Sequence, residues 1–397
     1  MKKVTTSLFL LAASGLMITA CSDDDNATNN NNVTRAQVVE NYADIVYQNY
    51  QDALDDAESL EVAVNAFTAN PTQATFDAAK AAWKTSRESY GTTEAFRFAN
   101  GPIDNDQDFE APEGLINAWP LDEAYIDYVQ ASDAQYNGGI INNTELYPTI
   151  TKQLLEELNE GEDEKSISTG YHAIEFLLWG QDITAPAANL PGQRPYTDFV
   201  DGGTAENQDR RRAYLNAAAD LLIDHLTYLV DLWAEGGSYR NTFLALPEEE
   251  ALQNIYLGII TLCSSELPIE RMSVALENAD QEDEHSCFSD NTHRDVYLNF
   301  AGIVNVYEGK YGNIDGPSLA DLVKQANNSK YNDIENAIDA AEDDIEAILT
   351  PFDLAISGGP TSAEGAKVKV AYTQLIMLSQ ELLAGATASG ITVNGIE

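Results

Sequence analysis

Apolar residues recur three and four positions apart along nearly the whole chain, the period of an α-helix rather than of a strand. Ile45, Tyr47, Tyr50, Leu54, Leu60, Val62 and Phe67 mark one long helix beginning near Thr34. Asn70 and Pro71 restart the chain, with Asn70 placed to cap and Pro71 to open a second helix that runs to about Ala99. Further helices are predicted near 120–131, 147–160, 166–179, 207–235, 248–278, 292–308, 317–325, 330–349 and 361–386. Alternating strand patterns are scarce. A helix with one apolar stripe must bury it against a neighbour, so the expectation is an all-α protein of two helical bundles packed together. The Pro- and Gly-rich stretch 184–203 has no clear period and reads as the connection. That gives an N-terminal bundle at 34–203 and a C-terminal bundle at 204–397.

The first twenty residues stand apart from the fold. Met1-Lys2-Lys3 is a short basic start, and Leu8 to Met17 is an apolar run of secretory length, too short to span a bilayer. Ile18-Thr19-Ala20-Cys21 has the form of a lipobox, at which bacteria lipidate the cysteine and cleave before it. Residues 1–20 are therefore expected to be a signal peptide, Cys21 a lipid anchor to the membrane, and residues 21–33 a flexible tether too polar to fold. The address implied is the cell envelope, as an outer-membrane lipoprotein, with surface exposure a further expectation from the acidic run after Cys21.

Charge narrows the partners. The chain carries 21 Lys and Arg against 65 Asp and Glu, a formal net charge of −44. Loss of residues 1–20 removes Lys2, Lys3 and no acid, making it −46. Such a charge repels phosphate and argues against a nucleic-acid partner. No later stretch approaches the length of an apolar membrane span, so lipid is the only attachment expected. Cys263 and Cys287 would sit in an oxidising compartment, but sequence does not fix whether they approach closely enough to pair.

The most informative segment is Gly170-Tyr171-His172-Ala173-Ile174-Glu175-Phe176-Leu177-Leu178-Trp179-Gly180. His172 and Glu175 lie one helical turn apart on one face, where they can share a cation. With acids so abundant, this spacing alone is common; the apolar surroundings distinguish it, because an ionisable pair buried there needs partners or a metal. Trp83, Arg87, Tyr90 and Glu94 fall on one face of the second predicted helix, either as an ordinary exposed stripe or as the lining of a bundle interior. Arg97 follows one turn after Glu94 and can hold its carboxylate. Asp122 and Glu123 stand in the first turn of a predicted helix, where both suit the helix dipole; Glu123 is read that way, and Asp122 is kept as a candidate ligand.

A third cluster places Glu266 and Glu270 on one helix face beside Arg271, with Pro268 expected to kink that helix. His285, Asp290 and His293 follow, with a second metal site at His285 and His293 in view, although Asp290 or Asn291 also suits a helix cap. His225 reads as a bundle residue. The segment Asp104-Asn105-Asp106-Gln107-Asp108 fails as a calcium loop, since Phe109 and Leu115 replace the required Gly and Glu. Phosphate loops, HExxH and GxSxG motifs are absent from the sequence.

These blocks resemble a known family. GYHAIEFLLWGQD is similar to the GxHxxE signature of the imelysin-like proteins, also catalogued as M75 peptidases. AWKTSRESYGTTEAFRFANGPID, INAWPLDEAYID, and SELPIERM with QEDEHSCFSDNTH resemble its iron-regulated branch. The resemblance implies two bundle-like α domains, an envelope location and a link to iron uptake. By residue, it implies His172 and Glu175 as metal ligands, Glu94 as a third from a facing helix and Asp122 as a fourth. Arg87 and Arg97 would balance or orient carboxylates, and Glu266, Glu270, Arg271, His285, Asp290 and His293 form a supporting or secondary set.

Two activities then compete. One is a lipoprotein binding a divalent or trivalent metal ion, with iron favoured and zinc also suited, for a membrane iron-transport component. The other is an M75-type metallopeptidase of the envelope, which needs an open metal position and a base; Glu94 or Asp122 would supply the base that HxxE lacks. Nineteen tyrosines and four tryptophans also leave room for a polysaccharide or peptide ligand, although aromatics at helical spacing more often build a core.

Overall fold

The structure, a computed structural model, describes residues 32–130, 138–161 and 163–395. Cys21, the signal peptide and nearly all of the tether lie outside them. From Val33 onward the chain packs as one unit, and it is all-α. Among the described residues the only strands are Lys310–Tyr311 and Ile314–Asp315, an antiparallel pair.

Helix α1 (Arg35–Ala69) starts at a reciprocal cap: Thr34 Oγ1 accepts from Gln37 N at 3.3 Å, and Gln37 Oε1 accepts from Thr34 N at 3.0 Å. Asn70 closes α1 rather than opening the next helix, its N–H bonding Ala66 O and Phe67 O. Thr72 instead caps α2 (Gln73–Thr93). That helix stops earlier than the apolar pattern predicts. A single tight turn, Glu94–Phe96, follows, then extended Arg97 and left-handed Phe98 at φ 59°. The predicted helix at 120–131 is likewise reduced to one turn, Glu123–Ile126.

Helix α3 (Gly170–Trp179) carries the HxxE segment and begins at a glycine with φ 80°. A Cβ on Gly170 would lie 2.4 Å from the Ile116 carbonyl oxygen, so only glycine lets α3 start there. Trp83 of α2 donates Nε1–H to Tyr171 O at 2.9 Å, pinning α2 to α3. Helix α4 (Gln208–Trp233) packs on α1 and on α3. The division expected at 203/204 therefore does not separate packing partners, because α1 buries its apolar stripe against helices on both sides of it.

Helix α5 (Glu248–Thr261) runs on into a π-helical segment, Leu262–Ser273, in place of the expected kink at Pro268. Proline cannot donate to the α-helical ladder, and underwinding is one way a helix accommodates the gap. Helix α6 (Thr292–Glu308) packs closely on α2, since a Cβ on Gly302 would fall 2.4 Å from Thr92 O. Helices α7 (Asn328–Glu346) and α8 (Ala363–Ala388) pair, and α8 also lies along the π segment. Cys263 and Cys287 are both free and buried. The end of α2, the first turn of α3, the π segment and the start of α6 meet in the interior.

Candidate metal centre

His172 and Glu175 are fully buried, as the apolar surroundings of their helix require. His172 Nδ1 and Glu175 Oε2 are 2.9 Å apart. The other carboxyl oxygen, Oε1, accepts from Ser289 N at 3.0 Å and Ser289 Oγ at 2.7 Å. Burial pushes Glu175 up to about 8, against the pull of those Ser289 hydrogen bonds. In its ionised form the carboxylate fixes the imidazole proton on Nδ1 and leaves the lone pair on Nε2. That Nε2 is buried with no hydrogen-bond partner.

The ring of His285 lies against His172, with centroids 4.7 Å apart and planes at 73°. Trp119 flanks His172 at 5.1 Å. His285 repeats the same arrangement: Nδ1 is 3.0 Å from Asp295 Oδ2, which also accepts from Ser286 Oγ. Asp295 Oδ1 accepts from Arg87 Nη2 at 3.1 Å and Nε at 3.3 Å. Burial would raise the Asp295 carboxyl, but Arg87 and His285 overcome it and hold it well below the usual range. Burial also lowers both histidines, so each imidazole is neutral near pH 7, the form that binds metals.

The remaining predicted residues divide. Glu94, expected as a third ligand, accepts from Arg271 Nη2 at 2.7 Å and Asn117 Nδ2 at 3.1 Å, with Arg97 Nη1 at 3.5 Å. Burial opposes its ionisation, yet Arg271 and Arg97 hold it down at about 2. Arg87 reaches Glu94 only through Asn117, whose Oδ1 accepts from Arg87 Nη1 at 2.5 Å. Arg271 also donates to Glu266 at 3.0 Å and Asn299 at 2.7 Å. Asp122 stands away from this group and caps its helical turn, accepting from Ala124 N at 3.0 Å.

His293 parts company with His285. It lines a separate groove with Tyr297 and Phe352. Asp290 is half-buried in a left-handed conformation, φ 54°, and Asn291 occupies the cap of α6 without a side-chain bond to it. A cavity of about 310 Å³ opens beside His285, lined by Arg97, Glu113, Trp119, Glu266, Glu270 and Arg271 among others.

Among the described residues no group of three or more His, Cys, Asp or Glu side chains is disposed to hold a metal. Two imidazoles with carboxylate-bound Nδ1 atoms nevertheless have the chemistry of metal ligands, whose other ring nitrogen usually donates to a carboxylate. The described residues offer a cation at most these two imidazoles, with no third His, Cys, Asp or Glu side chain disposed to join them. In that reading Glu175 positions His172, and its own two oxygens are already engaged. Asp295, Ser289 and Asn117 were not legible as site residues. Asp295 sits in the first turn of α6, where an acid has an ordinary helix-dipole role.

The family model described as imelysin (peptidase M75) matches residues 46–382. The chain is 24% identical over 286 residues to iron-regulated protein A of Synechococcus elongatus, a match covering 69% of this chain and 64% of that protein's length. It is similar in fold to a crystal structure from Parabacteroides distasonis assigned as an iron-regulated protein A precursor. The TM-score is 0.66 at 18% identity, over 91% of this chain and 97% of that one.

Proposed function

Because the chain belongs to the imelysin family, we propose that it binds a metal ion as cargo at His172 and His285, and that it serves iron uptake from the cell envelope. The observation that carries the reading is the paired imidazoles, with His172 Nε2 buried and unpartnered and each Nδ1 beside a carboxylate. Neutral imidazoles suit borderline cations such as ferrous iron and zinc. The preference for iron comes from the relatives' names. A site with two protein donors is open, as exchangeable cargo requires, whereas structural metal sites are closed by four. Lipid on Cys21 would hold the chain at the outer membrane beside a transport component. No helix of the described residues is long and apolar enough to cross a membrane.

The alternative of an envelope metallopeptidase is less well supported. A hydrolase needs a carboxylate free to take a proton from metal-bound water; of the two candidates for that base, Glu94 is tied to Arg271 and Asp122 caps a helical turn. Metal analysis of protein purified without added metal, followed by titration with ferrous iron under anaerobic conditions and with zinc, tests the proposal. His172→Ala and His285→Ala should abolish tight binding, and Glu175→Gln should weaken it about 10- to 100-fold. Unchanged metal affinity in folded His172→Ala would refute the site. Chelator-sensitive cleavage of an unfolded substrate would instead favour the peptidase.

A further inference from the structure

Helix α8 (Ala363–Ala388) is apolar on more than the side it buries. Val368, Leu375, Leu378 and Leu382 face the interior. On the opposite side Ala363, Ala366, Val370, Thr373 and Met377 are exposed, Val370 at 52% and Met377 at 51%. These positions alternate three and four apart, the spacing with which one helix meets another along its length. A helix apolar all round is ordinarily buried all round. The outer side of α8 thus has the composition of a contact surface, and nothing among the described residues covers it.

Charge singles out the same face. The chain carries a formal net charge of −44, and the neighbouring α7 exposes Asp333, Asp339, Asp343 and Glu346. The 26 residues of α8 hold only Glu364, Lys367, Lys369 and Glu381, two charges of each sign. Two copies of so acidic a chain repel over most of their surface, and this face is where they can approach without opposing charge. The stripe continues to Thr387, so its midpoint falls at position 375. A two-fold axis there, with the helices antiparallel, sets Ala366 against Ala384 of the second copy, Val370 against Gln380 and Thr373 against Met377. No layer then opposes two bulky side chains. The same axis carries Lys367 to the flank where the second copy presents Glu381. Each has an exposed partner in its own chain, Glu364 at 2.8 Å and Lys330 at 2.7 Å, so the cross-pair fixes register more than it adds strength.

We infer that α8 is the interface of a two-fold dimer of this chain, α8 packing antiparallel on α8. Residues 363–387 span about 37 Å, and a strip about 10 Å wide along them gives about 400 Å² on each copy. A stable interface buries about 800 Å² per partner, so this dimer is transient and populated at high protein concentration.

The test uses the chain from residue 21 with Cys21→Ser, so that no lipid contributes. In sedimentation velocity its mean mass should rise with protein concentration. It should rise further at about 0.5 M sodium chloride, because salt screens the repulsion between two acidic chains and leaves the apolar contact intact. Val370→Glu/Met377→Glu and, separately, Ala366→Arg, each with its fold checked by circular dichroism, should stay monomeric throughout. Cys263 and Cys287 are buried, which leaves introduced thiols to report on register. A short bismaleimide should join two copies of Thr373→Cys, whose sites lie about 6 Å apart along the helices, but not of Ala366→Cys, at about 27 Å. A wild-type chain that is monomeric at every concentration and salt would overturn the inference and leave the face to a different protein. Association of either variant at wild-type strength, or equal cross-linking at 366 and 373, would overturn it as well.

Discussion

Replacing Arg87 by methionine should be strongly destabilising, because it strands a buried charge. Arg87 is fully buried and Asp295 is 1% exposed. The guanidinium makes two contacts to Asp295 Oδ1, at 3.1 and 3.3 Å, and one to Asn117 at 2.5 Å. It also lies over the rings of Tyr171 and Tyr90 at 5.0 and 5.3 Å. Methionine keeps much of the apolar stem but leaves Asp295 with only His285 and Ser286 for partners. Breaking a buried ion pair from one side typically costs about 3–5 kcal/mol, and two aromatic contacts to a desolvated cation add about 1 kcal/mol or more. The expected loss is thus about 4–6 kcal/mol. Asp295→Asn in the same background neutralises the stranded group while keeping an acceptor for His285, so the double variant should recover about 1–3 kcal/mol. Urea denaturation at pH 7 of wild type, both single variants and the double closes the cycle. A loss below about 1 kcal/mol for Arg87→Met, or strict additivity in the double, would refute the argument that the buried charge dominates.

Other positions give sharper contrasts between structural and binding roles. Asp122→Ala should cost about 0.5–2 kcal/mol through its lost cap and leave zinc affinity unchanged, which titration calorimetry would show directly. Gly170→Ala should prevent native folding or sharply lower the melting temperature, since its φ is 80° and the new Cβ meets Ile116 O at 2.4 Å. Glu284 and Asp290 should each contribute stability that is lost as pH rises out of the ordinary carboxyl range. Burial, with Asp353 next in order, raises Glu284 well above its ordinary value, and burial with Asp353 and Asp182 raises Asp290 to about 7. The folded chain therefore keeps protons that the unfolded chain releases, and this contribution is complete below the ordinary carboxyl value and lost above the folded one. The urea midpoint of Glu284→Gln relative to wild type should therefore rise between pH 5 and 7.5, since the variant has no proton to lose there; a difference that does not change with pH would count against the assignment.

Much of the fold was legible because helical periodicity is a local property. The helix at 292–308 falls where the pattern puts it, and the burial of His172 follows from the apolar residues around it. The ends of helices were less legible where tertiary partners decide them. The apolar pattern carries α2 on to about Ala99, but the backbone turns at Glu94, where Arg271, 177 residues away in sequence, takes the carboxylate. The same limit hid the pairing of carboxylates with histidines. Glu175 is adjacent to His172 in any helix, whereas Asp295 and His285 meet only because a loop brings the start of α6 back on itself. Glu94 and Asp122 show another limit: an acid on a given helix face is a candidate ligand by type, and only the fold shows that Arg271 holds the one and the backbone N–H of Ala124 the other.

The two histidines lie 113 positions apart, a distance fixed by their numbers in the chain. An unfolded polypeptide therefore cannot present both imidazoles to one ion without closing a long loop, which is entropically unfavourable. Metal affinity at this site is then a property of the finished tertiary structure and not of any segment of it. An ion bound at both imidazoles, as proposed, would in turn act as a clamp: at a hundred times the dissociation constant it would deepen the native well by about 2.7 kcal/mol. If the chain binds metal as proposed, the loaded protein should resist proteolysis better than the empty one.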